Sequence, residues 1–276
     1  MTRPVRRARS TGRPKAITKL ADSPSYHNWL FYSDPGIGKT VLCGTAPRSL
    51  FLTVEAEGTQ SAATAGSDAE QWVLNSYRDF EEAQDYFVNG SGCQDYDWVH
   101  VDSASELDDK VCSHLTEVGH KKNAKRSIHK MALEDYQIRD SMMASIVDTF
   151  NRLPINVTYT AHTMRLDRVN DEGEEVELLL PLLGSTKTGK LATKVCGKVS
   201  LVGYLDVETI KTGDKAKTIR RLYTESMPGV FAKNRIGLGE YVDNPTIPKL
   251  LSLYEEARGT TRRPDRVARR TTARRA

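Results

Sequence analysis

The ten-residue stretch FYSDPGIGKT, residues 31–40, constrains the fold of this chain more than any other feature. It follows the phosphate-binding pattern G-x-x-x-x-G-K-[ST], except that Ser33 stands where the pattern has its first glycine. A loop of this kind works between a strand and a helix, because the backbone amides at the helix N-terminus then face the phosphates. The stretch therefore predicts an α/β fold with a nucleotide at the end of its first strand.

The pattern also predicts what individual loop residues do. Backbone amides would hold the phosphate oxygens, Lys39 would reach the β- and γ-phosphates, and the Thr40 hydroxyl would bind Mg²⁺. A serine at position 33 is small enough for the turn, although a positive φ there would cost about 1 kcal/mol. The predicted nucleotide-binding residues are Ser33, Asp34, Pro35, Gly36, Ile37, Gly38, Lys39, Thr40 and Val41. No base-recognition motif distinguishes ATP from GTP.

Hydrophobic runs of strand length alternate with helical patterns, which predicts a mainly parallel central sheet flanked by helices. The predicted strands are residues 27–32, 50–54, 98–101 and 155–160, and the predicted helices are residues 39–43, 78–88 and 133–153. Shorter β-like segments follow and predict antiparallel additions in the C-terminal half. These form two predicted pairs, 164–169 with 176–180 and 199–207 with 218–223.

Ligands bind at the carboxyl ends of the strands in a parallel α/β sheet, so polar residues there are candidates for the chemistry. Asp102 ends the third predicted strand and would hold Mg²⁺ opposite Thr40. A catalytic base is expected from Glu57 after the second strand, with Glu55 as the alternative. His162, after the fourth strand, would sense the γ-phosphate, although a lone histidine is as often structural.

Positive charge is concentrated at both ends of the 276-residue chain. Residues 1–20 contain seven basic and no acidic residues, and residues 258–276 contain eight basic residues and one acidic residue. Such segments lack the apolar surface needed to offset chain entropy, and arginine-rich arms attract polyanions. The expected organisation is a basic disordered arm at 1–22, a single domain at 23–256, and an arginine-rich disordered tail at 257–276.

Composition excludes several other classes. No apolar run approaches the roughly 20 residues that cross a bilayer, and the first residues lack the apolar segment of a secretory signal. The four cysteines are scattered without a C-x-x-C pair, so neither a zinc site nor a redox couple is indicated. The expectation is a cytoplasmic protein without a membrane partner.

Four motifs, SDPGIGKT, VEAEG, WVHVDS and TYTAH, together resemble the RecA-like recombinase core. The resemblance covers residues 26–243 and is nearest to short phage-type RecA-like ATPases of the single-strand annealing class, often grouped with AAA-family ATPases. It implies ATP as the nucleotide. A fifth segment, FAKNRIG, matches a Lys-x-Arg element of that family. By that resemblance Lys233 and Arg235 would reach the γ-phosphate of a neighbouring subunit, which implies a homo-oligomer, either a ring or a filament.

The resemblance also implies two DNA-contact segments, one at residues 119–130 and one after His162. Their candidate phosphate-binding residues are Lys121, Lys122, Lys125, Arg126, Lys130, Arg165, Arg168, Lys187 and Lys190. Neither segment interleaves aromatic residues with its basic ones, so binding to single-stranded DNA is expected through the backbone and without sequence preference. A mobile polar loop is the alternative interpretation of both segments.

Three functions remain open at this level. The first is a DNA-dependent ATPase of phage-type recombination, annealing or replication, with a single-strand binding or replication protein as a further partner. The second is a helicase loader or motor. The third is an annealing protein whose nucleotide site only switches its assembly.

Overall fold

The computed structural model describes residues 26–55, 57–169, 173–212 and 215–261. The strands are β1 (Asn28–Tyr32), β2 (Ser49–Thr53), β3 (Glu70–Val73), β4 (Trp98–Asp102), β5 (Asn156–Ala161), β6 (Thr163–Val169), β7 (Glu175–Pro181), β8 (Leu201–Thr212), β9 (Lys215–Tyr223), β10 (Lys233–Asn234) and β11 (Tyr241–Asp243). The helices are α1 (Lys39–Cys43), α2 (Gln60–Thr64), α3 (Tyr77–Val88), α4 (Gly92–Asp95), α5 (Ala104–Lys122), α6 (Asp135–Phe150), α7 (Lys190–Lys198) and α8 (Ile247–Thr261).

The main sheet has the order β11-β9-β8-β1-β5-β4-β2-β3, with β10 paired to β8. The six strands from β8 to β3 run parallel to one another, whereas β9, β10 and β11 are antiparallel additions at one side. The predicted fold class is therefore confirmed. Because β1 lies between β8 and β5, the loop that follows it opens near the middle of the sheet, with neighbouring strand ends on both sides.

Two apolar clusters cover the two faces of the sheet, as expected when alternate residues of a strand point to opposite sides. On one face Leu30 and Val99 pack with Phe80 and other residues of the helices between β3 and β8. On the other face Trp29 packs against Trp98, with ring centroids 5.4 Å apart, together with residues of α1 and α8. Burying each such large side chain contributes about 1.5–3 kcal/mol, so the central strands are held firmly from both sides.

β6 and β7 pair with each other in a separate two-stranded sheet. Their paired residues, 163–169 with 175–181, include the whole of the first predicted pair, 164–169 with 176–180. β8 and β9 also pair as predicted, over residues 204–223. The turn residues 170–172 and 213–214 lie outside the described residues. Both hairpins thus follow from alternating apolar residues and turn-forming residues in the sequence.

Several elements differ from the sequence-based expectations. α2, β3, α4, α7, β10, β11 and α8 were not anticipated, because each is short or carries a weak apolar period. Residues 119–122 belong to the last turn of α5 rather than to a loop, and Lys190 begins α7. α8 continues to Thr261, past the expected domain boundary at residue 256, whereas the basic arm at 1–22 and the tail after residue 261 lie outside the described residues. Within the described part, the helices are all too short or too polar to cross a membrane.

Candidate nucleotide-binding site

The loop between β1 and α1 adopts the backbone that its glycines allow. Gly36 has φ 80° and Gly38 has φ 113°, a region that residues with a Cβ rarely adopt. Ser33 is fully buried, and its N–H donates to the Ala161 carbonyl at 3.3 Å, which extends the pairing of β1 with β5 by one residue. Its φ is not positive, so the strain considered for a serine at this position does not arise.

Lys39 turns back over the loop. Its Nζ donates to the Ser33 carbonyl at 3.0 Å, to Ser33 Oγ at 3.1 Å and to the Asp34 carbonyl at 3.2 Å. Burial lowers the pKa of this ammonium, and the nearby Asp102 and Asp34 carboxylates oppose that shift. An ammonium held in this way is available to an incoming phosphate, because phosphate oxygens can replace the three loop oxygens.

Asp102 links α1 to the centre of the sheet. Thr40 Oγ1 donates to Asp102 Oδ2 at 2.8 Å, and the Thr160 hydroxyl donates to Asp102 Oδ1. Burial raises the pKa of this carboxyl, while the two threonine hydrogen bonds and Lys39 lower it. The Thr40 and Asp102 oxygens are hard ligands of the kind that Mg²⁺ prefers, so these residues fit the predicted magnesium site.

A cavity of about 500 Å³ opens beside the loop, at the carboxyl ends of the parallel strands. Its wall includes Pro35, Gly36, Gly38, Lys39, Thr40, Val41, Thr53, Glu55, Gly58, Ser61, Asp102, Ser103, Glu106, His162 and Arg220. Both Glu55 and Glu57 are exposed, but Glu55 borders the cavity and Glu57 is not among the residues that line it. A base must reach water inside the cavity, and Glu55 lies at its wall; the choice of Glu57 over Glu55 as the base stays a prediction.

His162 borders the same cavity and faces a carboxylate that was not anticipated. Its Nε2 lies 3.7 Å from Glu106 Oε1, on the first turn of α5. Glu106 is positioned by Ser103, whose Oγ accepts a hydrogen bond from the Glu106 N–H at 3.2 Å and so caps the helix. The cavity is thus bordered by Glu55, in the turn after β2, and by the pair of Glu106 on α5 and His162 directly after β5.

One hydroxyl ties the cavity wall to the β6–β7 hairpin. Ser105 Oγ accepts from the His162 N–H at 3.0 Å and donates to the Leu182 carbonyl at 2.8 Å. The Leu182 N–H in turn donates to the His162 carbonyl at 2.7 Å. Asp108, one turn further along α5, accepts from the Gly184 N–H at 2.8 Å. The two ends of the hairpin are therefore held together on the first turns of α5.

Lys233 and Arg235 lie at the opposite end of the strands. Asn234, between them, pairs with Leu201, the first residue of β8, which is also level with the start of β1. Lys233 Nζ donates to the Cys196, Gly197 and Val199 carbonyls at 2.7, 3.1 and 2.6 Å, while the Arg235 side chain is exposed. Neither residue is among those that line the cavity, and their contact with a neighbouring subunit stays a prediction.

The candidate DNA-contact residues fall into two groups. Arg126 is bound to Asp135 and lies 3.6 Å from Glu134, and Arg165 pairs with Glu177 at 2.8 Å, so these two cations already have partners. The remaining ones have exposed side chains: Lys121, Lys122, Lys125, Lys130, Arg168, Lys187 and Lys190. The structure thus keeps both segments available but reduces the number of unpaired charges.

Glu106 and Arg220 are the charged residues on the cavity wall that were not predicted from the sequence. The spacing of Ser103 and Glu106 is a helix-start signal, which predicts that Glu106 lies on the first turn after the Asp102 strand. Arg220 has no comparable signal. It comes from β9, and only the pairing of β9 with β8 brings it to the loop.

Comparison with known proteins gives one match. A family model described as an AAA domain matches residues 26–236, well over half of the chain and all of the parallel part of the sheet. None of the curated proteins matches the sequence.

Proposed function

The chain belongs to the AAA domain family of P-loop ATPases, and on that premise we propose that it binds ATP with Mg²⁺, hydrolyses it and acts on single-stranded DNA. The observation that carries this proposal is the convergence of Lys39, Thr40 and Asp102 on one cavity beside a glycine loop. Phosphate groups need this combination of loop amides, an ammonium and a magnesium ligand.

Each residue has a distinct part in nucleotide binding. The amides of Gly36 to Thr40 hold the β-phosphate at the start of α1, and Lys39 exchanges its loop oxygens for phosphate oxygens. Thr40 and Asp102 would hold Mg²⁺, which offsets negative charge on the phosphates when bound. ATP rather than GTP is proposed from the family, since none of the described residues that line the cavity identifies the base.

Hydrolysis requires a water molecule to be oriented and deprotonated near the γ-phosphate. Glu55 borders the cavity after β2, where its carboxylate accepts the proton of that water. His162 and Glu106 contact the same region from β5 and α5, and His162 responds to the presence of the γ-phosphate. The hydrogen bonds of Ser105 carry such a change to the β6–β7 hairpin, because the same hydroxyl holds residues 162 and 182.

DNA binding is proposed from the exposed basic side chains near this hairpin and after α5. Lys187 lies just beyond Gly184, which Asp108 holds against α5, and Lys121, Lys122 and Lys125 surround the end of that helix. The arginine-rich arms of the sequence add further positive charge. Contacts of this type bind the phosphate backbone, so affinity should fall steeply with salt and depend little on sequence.

Assembly into a ring or filament is proposed because, in the part of the chain that the structure describes, the cavity wall has only two cations, Lys39 and Arg220, and Arg220 comes from the side of the sheet away from Asp102. Arg235, exposed at the opposite end of the strands, would supply a cation for the γ-phosphate to the next subunit. Lys233 would act beside it. Within this proposal the biological role is phage-type recombination, annealing or replication, with a single-strand binding or replication protein as a partner.

Steady-state ATP turnover with and without single-stranded DNA tests the enzymatic part. Wild type should turn over ATP faster with DNA, and Lys39→Ala should remove the activity. Wild-type turnover equal to the Lys39→Ala background, with nucleotide still bound, would favour a site that only switches assembly. Strand separation on a forked duplex would instead favour a helicase motor.

Fluorescence anisotropy with labelled single-stranded and duplex DNA of mixed sequence tests the DNA part. A double variant, Lys121→Ala with Lys125→Ala, should weaken binding and reduce its salt dependence, because each phosphate contact releases counterions. The matched control is Arg126→Ala, since that side chain is bound to Asp135. Equal effects of both changes, or no binding by wild type, would contradict the proposal.

A further inference from the structure

Arg220 reaches the phosphate loop from the antiparallel side of the sheet. β9 is separated from β1 by β8, yet Arg220 Nε donates to the Ile37 carbonyl at 2.8 Å. Ile37 lies between the two glycines whose positive φ shapes the loop. The side chain also borders the 500 Å³ cavity. A residue remote in sequence is therefore part of the nucleotide site.

Arg220 also lies close to Gly38, so a side chain at this position would require the arginine to shift. A Cβ at Gly38 would lie 2.6 Å from Arg220 Nε and 3.3 Å from its Cζ. The guanidinium thus occupies the space that the glycine leaves open, directly against the residue that precedes Lys39. The guanidinium is therefore in close contact with the loop, to which its Nε also donates a hydrogen bond.

Arg220 differs from its neighbour Arg221 in its ion pairs. Arg221 points to the other face of β9 and pairs with Glu208 and Asp243 at 2.8 and 2.6 Å. Arg220, among the described residues, has no carboxylate within ion-pair distance. Its backbone is fixed instead by Asn244, whose side chain accepts from the Arg220 N–H at 3.2 Å and whose N–H donates to the Arg220 carbonyl at 2.6 Å.

A guanidinium has five N–H donors, and the bond to Ile37 uses one of them. The remaining donors and the uncompensated charge border a cavity that also contains Lys39. An anion is the ligand that satisfies such a group, and the planar fork suits two oxygens of one phosphate. The arrangement is therefore suited to a phosphate beside the loop.

The position of Arg220 in the sheet indicates which phosphate group of the nucleotide it contacts. Asp102 and Thr53 border the cavity from β4 and β2, on one side of β1, whereas Arg220 comes from β9 on the other side. The γ-phosphate belongs beside the magnesium residues and Glu55. Arg220 is at the opposite flank of the loop, where the α-phosphate end of the nucleotide lies when the β-phosphate occupies the loop.

We propose that Arg220 binds the α-phosphate of the nucleotide held by its own subunit, while its bond to Ile37 fixes the loop around the β-phosphate. This inference rests on the proposed nucleotide binding. It makes Arg220 a contact shared by ATP and ADP, unlike Arg235, which would contact only the γ-phosphate of a neighbouring subunit. The antiparallel strands β8 and β9 then sense whether the site is filled, not which nucleotide fills it.

The test compares the affinities of wild type and Arg220→Ala for ADP and for a non-hydrolysable ATP analogue by titration calorimetry. Both affinities should fall by about tenfold or more, since a hydrogen bond to a charged group is lost in each complex. The ratio of the two affinities should stay within about twofold of wild type. Arg220→Lys should lose part of the affinity for both, because an ammonium keeps the charge but lacks the fork.

Lys217→Ala is the matched control, since Lys217 is an exposed cation on the other face of the same strand. Its affinities should equal those of wild type. A loss of affinity in Arg220→Ala that is confined to the ATP analogue would overturn the inference and indicate contact with the γ-phosphate instead. Unchanged affinities for both nucleotides would also overturn it, because Arg220 would then only stabilise the loop through its bond to Ile37. If Arg220→Ala does not fold, Arg220→Lys with unchanged affinities overturns it equally. Failure of wild type to bind either nucleotide would remove the proposed function itself.

Discussion

Lys39 and Lys233 are two lysines with nearly the same hydrogen-bonding pattern at opposite ends of the central strands. Each ammonium donates three hydrogen bonds to oxygens of its own chain, and burial lowers the pKa of each. Lys39 is bound to a loop beside the cavity, whereas Lys233 is bound to three carbonyls at the C-terminal end of α7.

The difference shows that a full set of three hydrogen bonds from the ammonium does not by itself distinguish a ligand-binding lysine from a structural one. What separates them is whether a ligand can offer better oxygens than those already bound. Phosphate oxygens can replace the Ser33 and Asp34 oxygens of Lys39 because the cavity admits them. The carbonyls at the end of α7 have no such competitor inside one subunit, and a cation there also interacts favourably with the helix dipole.

The largest expected effect is that of replacing Lys39, and replacing Lys233 in the same way tests the contrast between the two lysines. Lys39→Ala should reduce ATP turnover by about a thousandfold, since it removes a cation from the transferring phosphate. Lys233→Ala should leave nucleotide affinity unchanged when measured on dilute, unassembled protein. Turnover assays and nucleotide titrations on the two variants check this pair. Equal losses of nucleotide affinity in the two variants would refute the placement of the nucleotide site at the Lys39 end of the strands alone.

Glu55→Gln is expected to lower ATP turnover by about a hundredfold while nucleotide affinity stays close to wild type, because only the proton acceptor is lost. Glu57→Gln provides the matched control and should change turnover by less than about twofold, as expected for an exposed carboxylate away from the reacting water. Single-turnover measurements distinguish the two. A larger loss in Glu57→Gln would restore the first sequence-based choice.

Lys233→Ala is expected to lower the free energy of unfolding by about 1–2 kcal/mol, because three helix-end carbonyls lose a charged donor. Arg235→Ala, in the same segment but exposed, should change it by less than about 0.5 kcal/mol. Urea unfolding followed by the fluorescence of the buried tryptophans measures both. If Arg235→Ala lowers turnover only at concentrations where the protein assembles, the action on a neighbouring subunit is supported.

The smallest expected effect concerns Asp102 and pH. Burial raises its pKa in the folded state above the ordinary 3.8, so the folded protein binds more protons than the unfolded one between those two values. The stability that comes from the protonated carboxyl is complete below 3.8 and is lost as pH rises through the folded pKa.

Asp102→Asn removes this titration. The difference in unfolding free energy between the variant and wild type, without nucleotide, should therefore shift in favour of the variant as pH rises through that range. Denaturant unfolding at several pH values measures the shift. A shift of the opposite sign would mean that the threonine hydrogen bonds and Lys39 outweigh burial.

The site was predictable to the extent that its residues lie at strand ends. Lys39, Thr40, Asp102 and His162 each follow or end a strand whose apolar pattern is visible, and parallel strands bring those positions to one edge of the sheet. The choice between Glu55 and Glu57 was not predictable, because both lie in a turn whose direction the pattern does not specify.

Arg220 was unpredictable for a different reason. Its place depends on the order of strands in the sheet, which puts β8 beside β1 and β9 beside β8. Nothing in the local sequence TIRRLY indicates which of two adjacent arginines faces the loop. The same holds for Lys233, whose partners are carbonyls at the end of α7, a helix of only 9 residues that the sequence-based expectations did not include.

The closure of the β6–β7 hairpin at Ser105 has a consequence for how the chain can vary. About twenty residues separate residues 162 and 182, whose backbones meet at one hydroxyl, and the parts of both strands near these ends pack in the core through Met164, Leu166 and Leu180. Lengthening an excursion with fixed ends costs little conformational entropy, since that cost grows only with the logarithm of its length. The exposed outer residues 167–169 and 173–177 can therefore differ in number or charge at little cost, whereas the inner halves of the two strands are fixed by their packing in the core.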